Sequence, residues 1–401
     1  IRKGLGLRFG IYPKDLVKKL REKKNIWVHA VSVGEVMAVA PLIEQLHKNF
    51  PSYRLVLTTV TETGNAVAEK VKGADDLVLF LPLDISFIIR KVLGLINPQL
   101  LIIAETEIWP SLISETNNSG VPIVVVNGRL SDNSFRNYSR VRAFLKTLLK
   151  RVRFFFVQTD IDKQRFMQLG VSEGSITVTG NMKFDMDIGP FSDDSKERLR
   201  SLLGLNTDDI LLVCGSTHKG EDEILLSAFM NIKKRFSRIK LLIAPRHINR
   251  SAHIESIIQH AGCVPVKISE ISSVVSRDKA ANEVFVLDSI GELRLFYAIS
   301  DIVFVGGSLV KKGGQNMIEA AAFSKPIIFG PYTFNFKAVV EIFIKARAAE
   351  MVSDKHGFEE SVQKLCEDSS LRSLLGENAY SVYKSNKGAT EYIVSCIRQI
   401  L

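Results

Sequence analysis

Three carboxylates and two arginines stand just past short apolar runs, where a strand would end. Glu35 closes Ser32-Val33-Gly34-Glu35 after the run Ile26–Val31, and Glu105 and Glu107 follow Leu100–Ala104 within Glu105-Thr106-Glu107-Ile108-Trp109-Pro110. Acids this close raise one another's pKa, one route to a general base poised near neutrality. Taken alone, Glu35 also reads as an acid that favours the N-terminus of the helix it begins. Arg129, three residues past Ile123–Val126 and directly after Gly128, and Arg246, directly after Lys240–Ala244 and Pro245, carry the planar fork that clamps phosphate or carboxylate. His247 offers acid–base chemistry or a structural ring. The turn Gly215-Ser216-Thr217 presents N–H and hydroxyl donors to a phosphate. The spacing G-x-x-x-x-G-K-[ST] is absent, which counts against a nucleoside triphosphatase. Asp185-Met186-Asp187 has a D-x-D metal-binding spacing, or is a pair of solvated acids in a linker.

The densest stretch is Asp301–Lys337. Ile302–Val305 predicts a buried strand, stopped by Gly306 and Gly307, and the loop to Gly314 carries Lys311, Lys312 and a second glycine pair. Gln315–Phe323 predicts a helix and Pro326–Phe329 the next strand. A glycine-rich turn entering a helix offers unpaired N–H groups and a positive dipole end to a phosphate. Glu319, about one turn in, can accept two hydrogen bonds from a ribose diol. The alternative is a plain β-α-β unit whose acid complements the helix dipole.

These residues need a scaffold, and the chain supplies it by repetition. Strand patterns at Ile26–Val31, Arg54–Thr59, Leu77–Leu81, Leu100–Ala104, Ile123–Val126 and Phe154–Val157 alternate with helical ones, and a last strand lies near residues 176–182. The series resumes at Ile210–Cys214, Lys240–Ala244 and Val284–Leu287. Alternation of this kind predicts α/β domains with parallel sheets, whose ligands bind at the carboxyl ends of the strands. The expected organisation is a basic segment over 1–24, a first domain over 25–186, a linker over 187–194 and a second domain over 195–380. A terminal helical stretch over 381–401 would pack back on the first domain.

Hydrophobic content of 46% and charged content of 24% fit a folded α/β protein rather than a disordered chain. Four scattered cysteines without C-x-x-C spacing argue against a zinc site and for a reducing compartment. No run of eighteen apolar residues exists. The chain opens on Ile1, and the expectation is an upstream segment that served as an anchor. The net charge of +10 is concentrated: residues 1–24 carry +7 and residues 129–153 another +7, leaving −4 elsewhere. Patches like these favour an anionic partner, although single basic runs are often solvated helix faces. In the second patch Arg136, Arg140 and Arg142 are phosphate-clamp candidates. Arg2–Lys24, with Leu5, Leu7, Phe9, Ile11 and Leu16 among its charges, predicts an amphipathic segment lying on an anionic membrane. Stacking aromatics are missing from both patches, so no nucleic-acid partner is expected.

The blocks WVHAVSVGEV, ETEIWPS, VNGRLSDNS, GNMKFD, APRH, GELRLFYAISDIVFVGGSLV and GGQN with IEAAA and KPIIFGPYTFNFK run in order from Trp27 to Lys337. Together they resemble the 3-deoxy-D-manno-octulosonic acid (Kdo) transferases of lipopolysaccharide synthesis. The resemblance implies GT-B architecture: two Rossmann-like parallel-sheet domains facing a cleft. It implies an inverting glycosyltransferase, using no metal or cofactor, that moves Kdo from CMP-Kdo to the 6′-hydroxyl of a lipid A precursor at the cytoplasmic face of the inner membrane. Glu35 would be the general base, with Glu105 and Lys183 stabilising the transition state. CMP contacts carry over to Pro245, Arg246, Ile290, Gly291, Glu292, Asn316, Met317, Ile318 and Glu319, with Ser216 and Gly314 as further donor contacts. Arg129, Arg136 and Arg140 would hold acceptor phosphates. The family commonly has histidine where this chain has Gln315, and often N-P-L-E where it has Asn316-Met317-Ile318-Glu319. Rival expectations are another GT-B nucleotide-sugar enzyme (an epimerase or UDP-sugar transferase) and a non-catalytic basic membrane binder.

Overall fold

The computed structural model describes residues 5–186, 189, 191–271 and 282–401. The chain divides into two compact units, Ile1–Asp187 with Asn386–Leu401, and Ile188–Ser385. In the first, β1 (Lys24–His29), β2 (Tyr53–Thr59), β3 (Leu77–Phe80), β4 (Pro98–Ala104), β5 (Ile123–Gly128), β6 (Phe154–Val157) and β7 (Ile176–Val178) form a parallel sheet. Its order is β3-β2-β1-β4-β5-β6-β7. In the second, β8 (Ile210–Thr217), β9 (Ile239–Pro245), β10 (Val264–Lys267), β11 (Glu283–Val286), β12 (Ile302–Val305), β13 (Ile327–Phe329) and β14 (Glu350–Met351) line up as β10-β11-β9-β8-β12-β13-β14, again parallel. Strand order reverses between β1 and β4 and between β8 and β12. These switch points are where a sheet of this class opens a crevice at its carboxyl edge.

Both sheets are covered on two faces, so their strand positions are mostly buried and apolar. In the first unit Trp27, Leu101, Ile103, Val125 and Phe155 point into one core, while Ile26, Val28, Leu100, Ile102, Val124 and Phe156 point into the other. That second core also takes Ile393, Val394 and Ile397 of the helix Ala389–Arg398, which packs beside Val36, Val39 and Leu42 of the helix Val33–Asn49. β10 and β14, outermost in the second sheet, had no counterpart among the expected strands, because they are short and half-polar rather than apolar runs.

Several expectations need correction. The helix expected over Gln315–Phe323 spans only Ile318–Ala322. Gly313 and Gly314 adopt left-handed backbone, and the Asn316 side chain accepts the Ile318 N–H at 3.1 Å, holding the chain in a turn until that point. Asp193 and Asp194, read as linker, lie in the first turn of the helix Asp193–Leu202, capped by Ser192. The basic N-terminal stretch is partly built into the unit. Leu20 is buried, Leu16 packs on the core, Lys24 opens β1, and Arg8 donates to the Val60 carbonyl at 2.6 Å.

Asp185, half of the D-x-D spacing, is a helix cap: its carboxylate accepts the N–H groups of Gly388 and Thr390, each at 2.6 Å. Asp187 lies outside the described residues. Asp185→Ala should therefore destabilise the first unit by about 1–2 kcal/mol, the usual cost of a lost cap. Denaturant unfolding of the variant against the parent checks it.

Candidate active site

In the first unit the loops after β1, β4 and β5 converge at the switch point. Ser32 is the N-cap of the helix Val33–Asn49, and Glu35, in its first turn, reaches back over the cap. One carboxylate oxygen accepts the Val31 N–H at 2.7 Å and the other the Ser32 hydroxyl at 3.0 Å. Accepting on both oxygens fixes the carboxylate over the start of the helix, as the acid half of a capping box does. Burial pushes the Glu35 pKa up to about 7; the Val31 N–H opposes the rise, and the charges of Glu105 and Glu107 add to it. Glu107 is raised by burial and then by Glu105.

Glu105 itself has φ of 54°, a left-handed conformation that a non-glycine residue adopts at a cost of about 1–3 kcal/mol. Its loop is tied to the next: the Arg129 N–H donates to the Thr106 hydroxyl oxygen at 3.1 Å, and the Thr106 hydroxyl donates to the Arg129 carbonyl. Asn127, also left-handed and fully buried, accepts the Met182 N–H on its side-chain oxygen at 3.1 Å. That bond seats the turn carrying Lys183. Burial lowers the Lys183 pKa; Glu105 and Glu35 raise it, and Arg129 lowers it further. Glu35, Glu105, Glu107, Arg129 and Lys183 thus share one field. Arg136 and Arg140 are exposed on the helix Asp132–Arg140, with no contact to that cluster among the described residues.

In the second unit the glycine pair Gly306-Gly307 does not await a phosphate. The N–H groups of Gly307, Ser308 and Leu309 donate to the Glu221 carboxylate at 2.7, 2.9 and 2.9 Å, and that of His218 does so at 2.9 Å. An internal anion already fills the nest. Gly306 allows the strand ends to touch, since a Cβ there would stand 2.6 Å from the Ser216 carbonyl oxygen. Ser216 itself is left-handed, with φ of 56°. The Gly314 N–H is committed to the Gly307 carbonyl at 2.7 Å.

The open chemistry lies around this knot. Arg246 is exposed just past β9, with its N–H on the Thr217 carbonyl at 3.0 Å and Pro245 half-buried beside it. Glu319 receives a 3.3 Å hydrogen bond from the Asn316 amide; burial raises its pKa, while Asn316, Arg246 and Arg294 lower it. Met317 and Ile318 send their side chains into the core, which leaves only their backbone to meet any ligand. Ile290, Gly291 and Glu292 form an exposed loop ahead of the helix Leu293–Ile299, Ile290 being 81% exposed.

A family description of 3-deoxy-D-manno-octulosonic-acid transferase (kdotransferase) matches residues 3–186. A 3-deoxy-D-manno-octulosonic acid transferase of Haemophilus influenzae is 32% identical over 405 residues, taking in 100% of this chain and 92% of that protein. The chain belongs to the Kdo transferase family. A second such transferase, from Chlamydophila psittaci, is 32% identical over 332 residues, covering 82% of this chain and 74% of its own. The UDP-GlcNAc 2-epimerase of Neisseria meningitidis, solved with UDP-GlcNAc bound, superposes with a TM-score of 0.60 at 15% identity over 94% of this chain and 100% of that one. That likeness is one of fold, the GT-B arrangement of two parallel-sheet units.

Within this Kdo transferase chain, sequence reasoning passed over three contributors. Glu221 carries no sequence signal for its role, since it stands at the N-cap of the helix Asp222–Arg235 and most of its partners lie in a distant loop. His218 and Gln315 are joined by a 3.1 Å contact between their Nε2 atoms, across 97 residues, which no local pattern signals. His29 is buried, its pKa driven down to about 4, with its ring edge-on to Trp109 at 5.9 Å.

The Glu35 shift has a consequence for stability. Its folded pKa lies above its unfolded one, so the folded state loses stability as pH rises from about 4.5 to about 7. Glu35→Gln removes that loss and keeps an acceptor for the Val31 N–H. The variant should gain on the order of 1–3 kcal/mol over the parent at pH 8 and nothing at pH 4. Unfolding curves at the two pH values check it.

Proposed function

We propose that this enzyme is an inverting, metal-independent transferase that moves Kdo from CMP-Kdo to the 6′-hydroxyl of a lipid A precursor. The observation that carries the mechanism is a carboxylate, Glu35, pinned by two hydrogen bonds and titrating near neutrality beside a lysine. Glu35 takes the proton of the acceptor hydroxyl as its oxygen attacks the anomeric carbon of the sugar. The new C–O bond forms as the bond to the CMP phosphate breaks, and CMP departs with that electron pair, which inverts the centre. Lys183 and Glu105 balance the charge that develops, and Glu105 opposes the burial that lowers the pKa of the lysine.

On the second unit, Arg246 and the backbone of Asn316–Ile318 face the CMP phosphate, Glu319 accepts from the ribose, and Pro245 with Ile290–Glu292 lines the base. Ser216 and the bend at Gly314 complete the donor contacts. Arg129, Arg136 and Arg140 meet the acceptor's phosphates. An anionic inner-membrane surface is the partner of the N-terminal segment. Leu5, Phe9 and Ile11 are exposed there beside Ile85 and Phe87, and Lys14, Lys18, Arg90 and Lys91 flank them. The two stretches adjoin, since the Leu83 N–H donates to the Arg8 carbonyl at 2.9 Å. Apolar side chains ringed by cations suit an interfacial contact. No helix among the described residues is long and apolar enough to cross a membrane.

The test is an assay with CMP-Kdo and a tetraacylated lipid A precursor in EDTA, with products weighed by mass spectrometry. Product bearing Kdo is expected. Glu35→Gln should lower kcat by about 10²–10⁴-fold. In the parent, kcat should fall as pH drops below about 7, because protonation silences the base. Full activity in Glu35→Gln overturns the assignment. CMP should compete with the donor and UDP should not; the reverse would favour a UDP-sugar enzyme on the same fold.

A further inference from the structure

A donor that joins a nucleotide monophosphate to an acidic sugar carries two anions a few ångströms apart, the phosphate and the sugar carboxylate. Two sets of donors are therefore needed, and the second unit has a set that the nucleotide contacts leave unused. His218 follows β8, and its Nε2 lies 3.1 Å from the Gln315 amide nitrogen. An amide nitrogen only donates, so the imidazole accepts at Nε2 and keeps its proton on Nδ1. The ring is thereby a neutral N–H donor of fixed tautomer. Its pKa is pushed down to about 4 by burial first, then by His247, Lys312, Arg250 and Arg246. Lys312, Arg250 and Arg246 among them are cations, gathered where an anion would sit.

The pair is also rigid. Both side chains rest on Gly307, where an added Cβ would stand 3.1 Å from His218 Cδ2 and 3.4 Å from Gln315 Cγ. The N–H groups of Gly307 and His218 are both held by the Glu221 carboxylate. The His247 ring, edge-on at 5.8 Å, braces the other side. Arg250, in contrast, is engaged by the buried Asp222 and by the Thr217 carbonyl at 3.1 Å, so it supplies field rather than contact. Neutral, planar donors beside one lysine suit the carboxylate, whose charge stays constant; the phosphate, a diester monoanion that gains a second charge as CMP leaves, is better met by the guanidinium of Arg246.

We propose that His218 and Gln315 bind the carboxylate of the transferred sugar, making the pair the determinant of an acidic sugar on the donor. The assignment rests on the donor reading given above. The experiment compares KM for CMP-Kdo with the inhibition constant of CMP, which has the phosphate but no sugar carboxylate. His218→Ala should raise KM by about tenfold to a hundredfold, the range of a hydrogen bond to a charged group. The CMP constant should stay within about twofold, which also shows that the variant is folded. His218→Asn, whose amide nitrogen stands near Nδ1, should recover much of the loss. Gln315→Leu, which releases the ring, should reproduce it in milder form and carries the test if the alanine variant melts. A CMP constant rising in step with KM would overturn the assignment in favour of phosphate binding, as would an unchanged KM. A parent enzyme indifferent to CMP would overturn the donor reading itself.

Discussion

The second unit is organised by one buried carboxylate. Glu221 sits at the start of a helix, fully shielded, and accepts four backbone N–H groups, three from a loop 86 to 88 residues further along the chain and one from its own turn. Burying an acid costs several kcal/mol, and hydrogen bonds to a charged group return roughly 1.5–3 kcal/mol each. Four such bonds make the buried anion tolerable and leave little freedom to the loops that make them. The ends of β8 and β12 are knotted together at the switch point as a result, and His218, Ser216 and Gln315 inherit fixed positions from that knot.

The first unit uses the same device with a different outcome. Asp162 accepts the Leu130 N–H at 2.8 Å, Asp84 accepts those of Ser111 and Leu112, and Asp76 those of Leu55 and Gly73. Each fastens a loop to its neighbour. Glu35 belongs to this series by geometry but receives only one N–H and one hydroxyl, with two further acids nearby. Burial then outweighs hydrogen bonding and pushes the Glu35 pKa up to about 7.

Backbone conformation makes the same division. Glu105, Asn127 and Ser216 are non-glycine residues with positive φ, and each lies at the carboxyl end of a strand beside a switch point. Held by Thr106–Arg129 cross-bonding, by Met182 and by the strand contact at Gly306, they aim loops in directions that ordinary backbone would not allow. Asn97, Ser324 and Arg347 share this conformation elsewhere among the described residues.

The sequence alone determined the alternation of elements, the parallel sheets and the strand-end positions of Glu35, Glu105, Arg129 and Arg246. These follow from periodicity and from the rule that loops after parallel strands carry function. It also determined the family, through blocks spread over most of the chain. Tertiary structure decided everything that depends on which distant group arrives. Gly306-Gly307 has the composition of a phosphate cradle, yet Glu221 occupies it. Asp185 has a metal-like spacing, yet two N–H groups of the last helix claim it. Gln315 has the pattern of a helix start, yet it meets His218 in a loop. A residue's type is written locally, while its partners across 86, 203 or 97 residues are chosen only when the sheets bring them together. Whether a carboxylate becomes a base, a cap or a clamp depends on that choice.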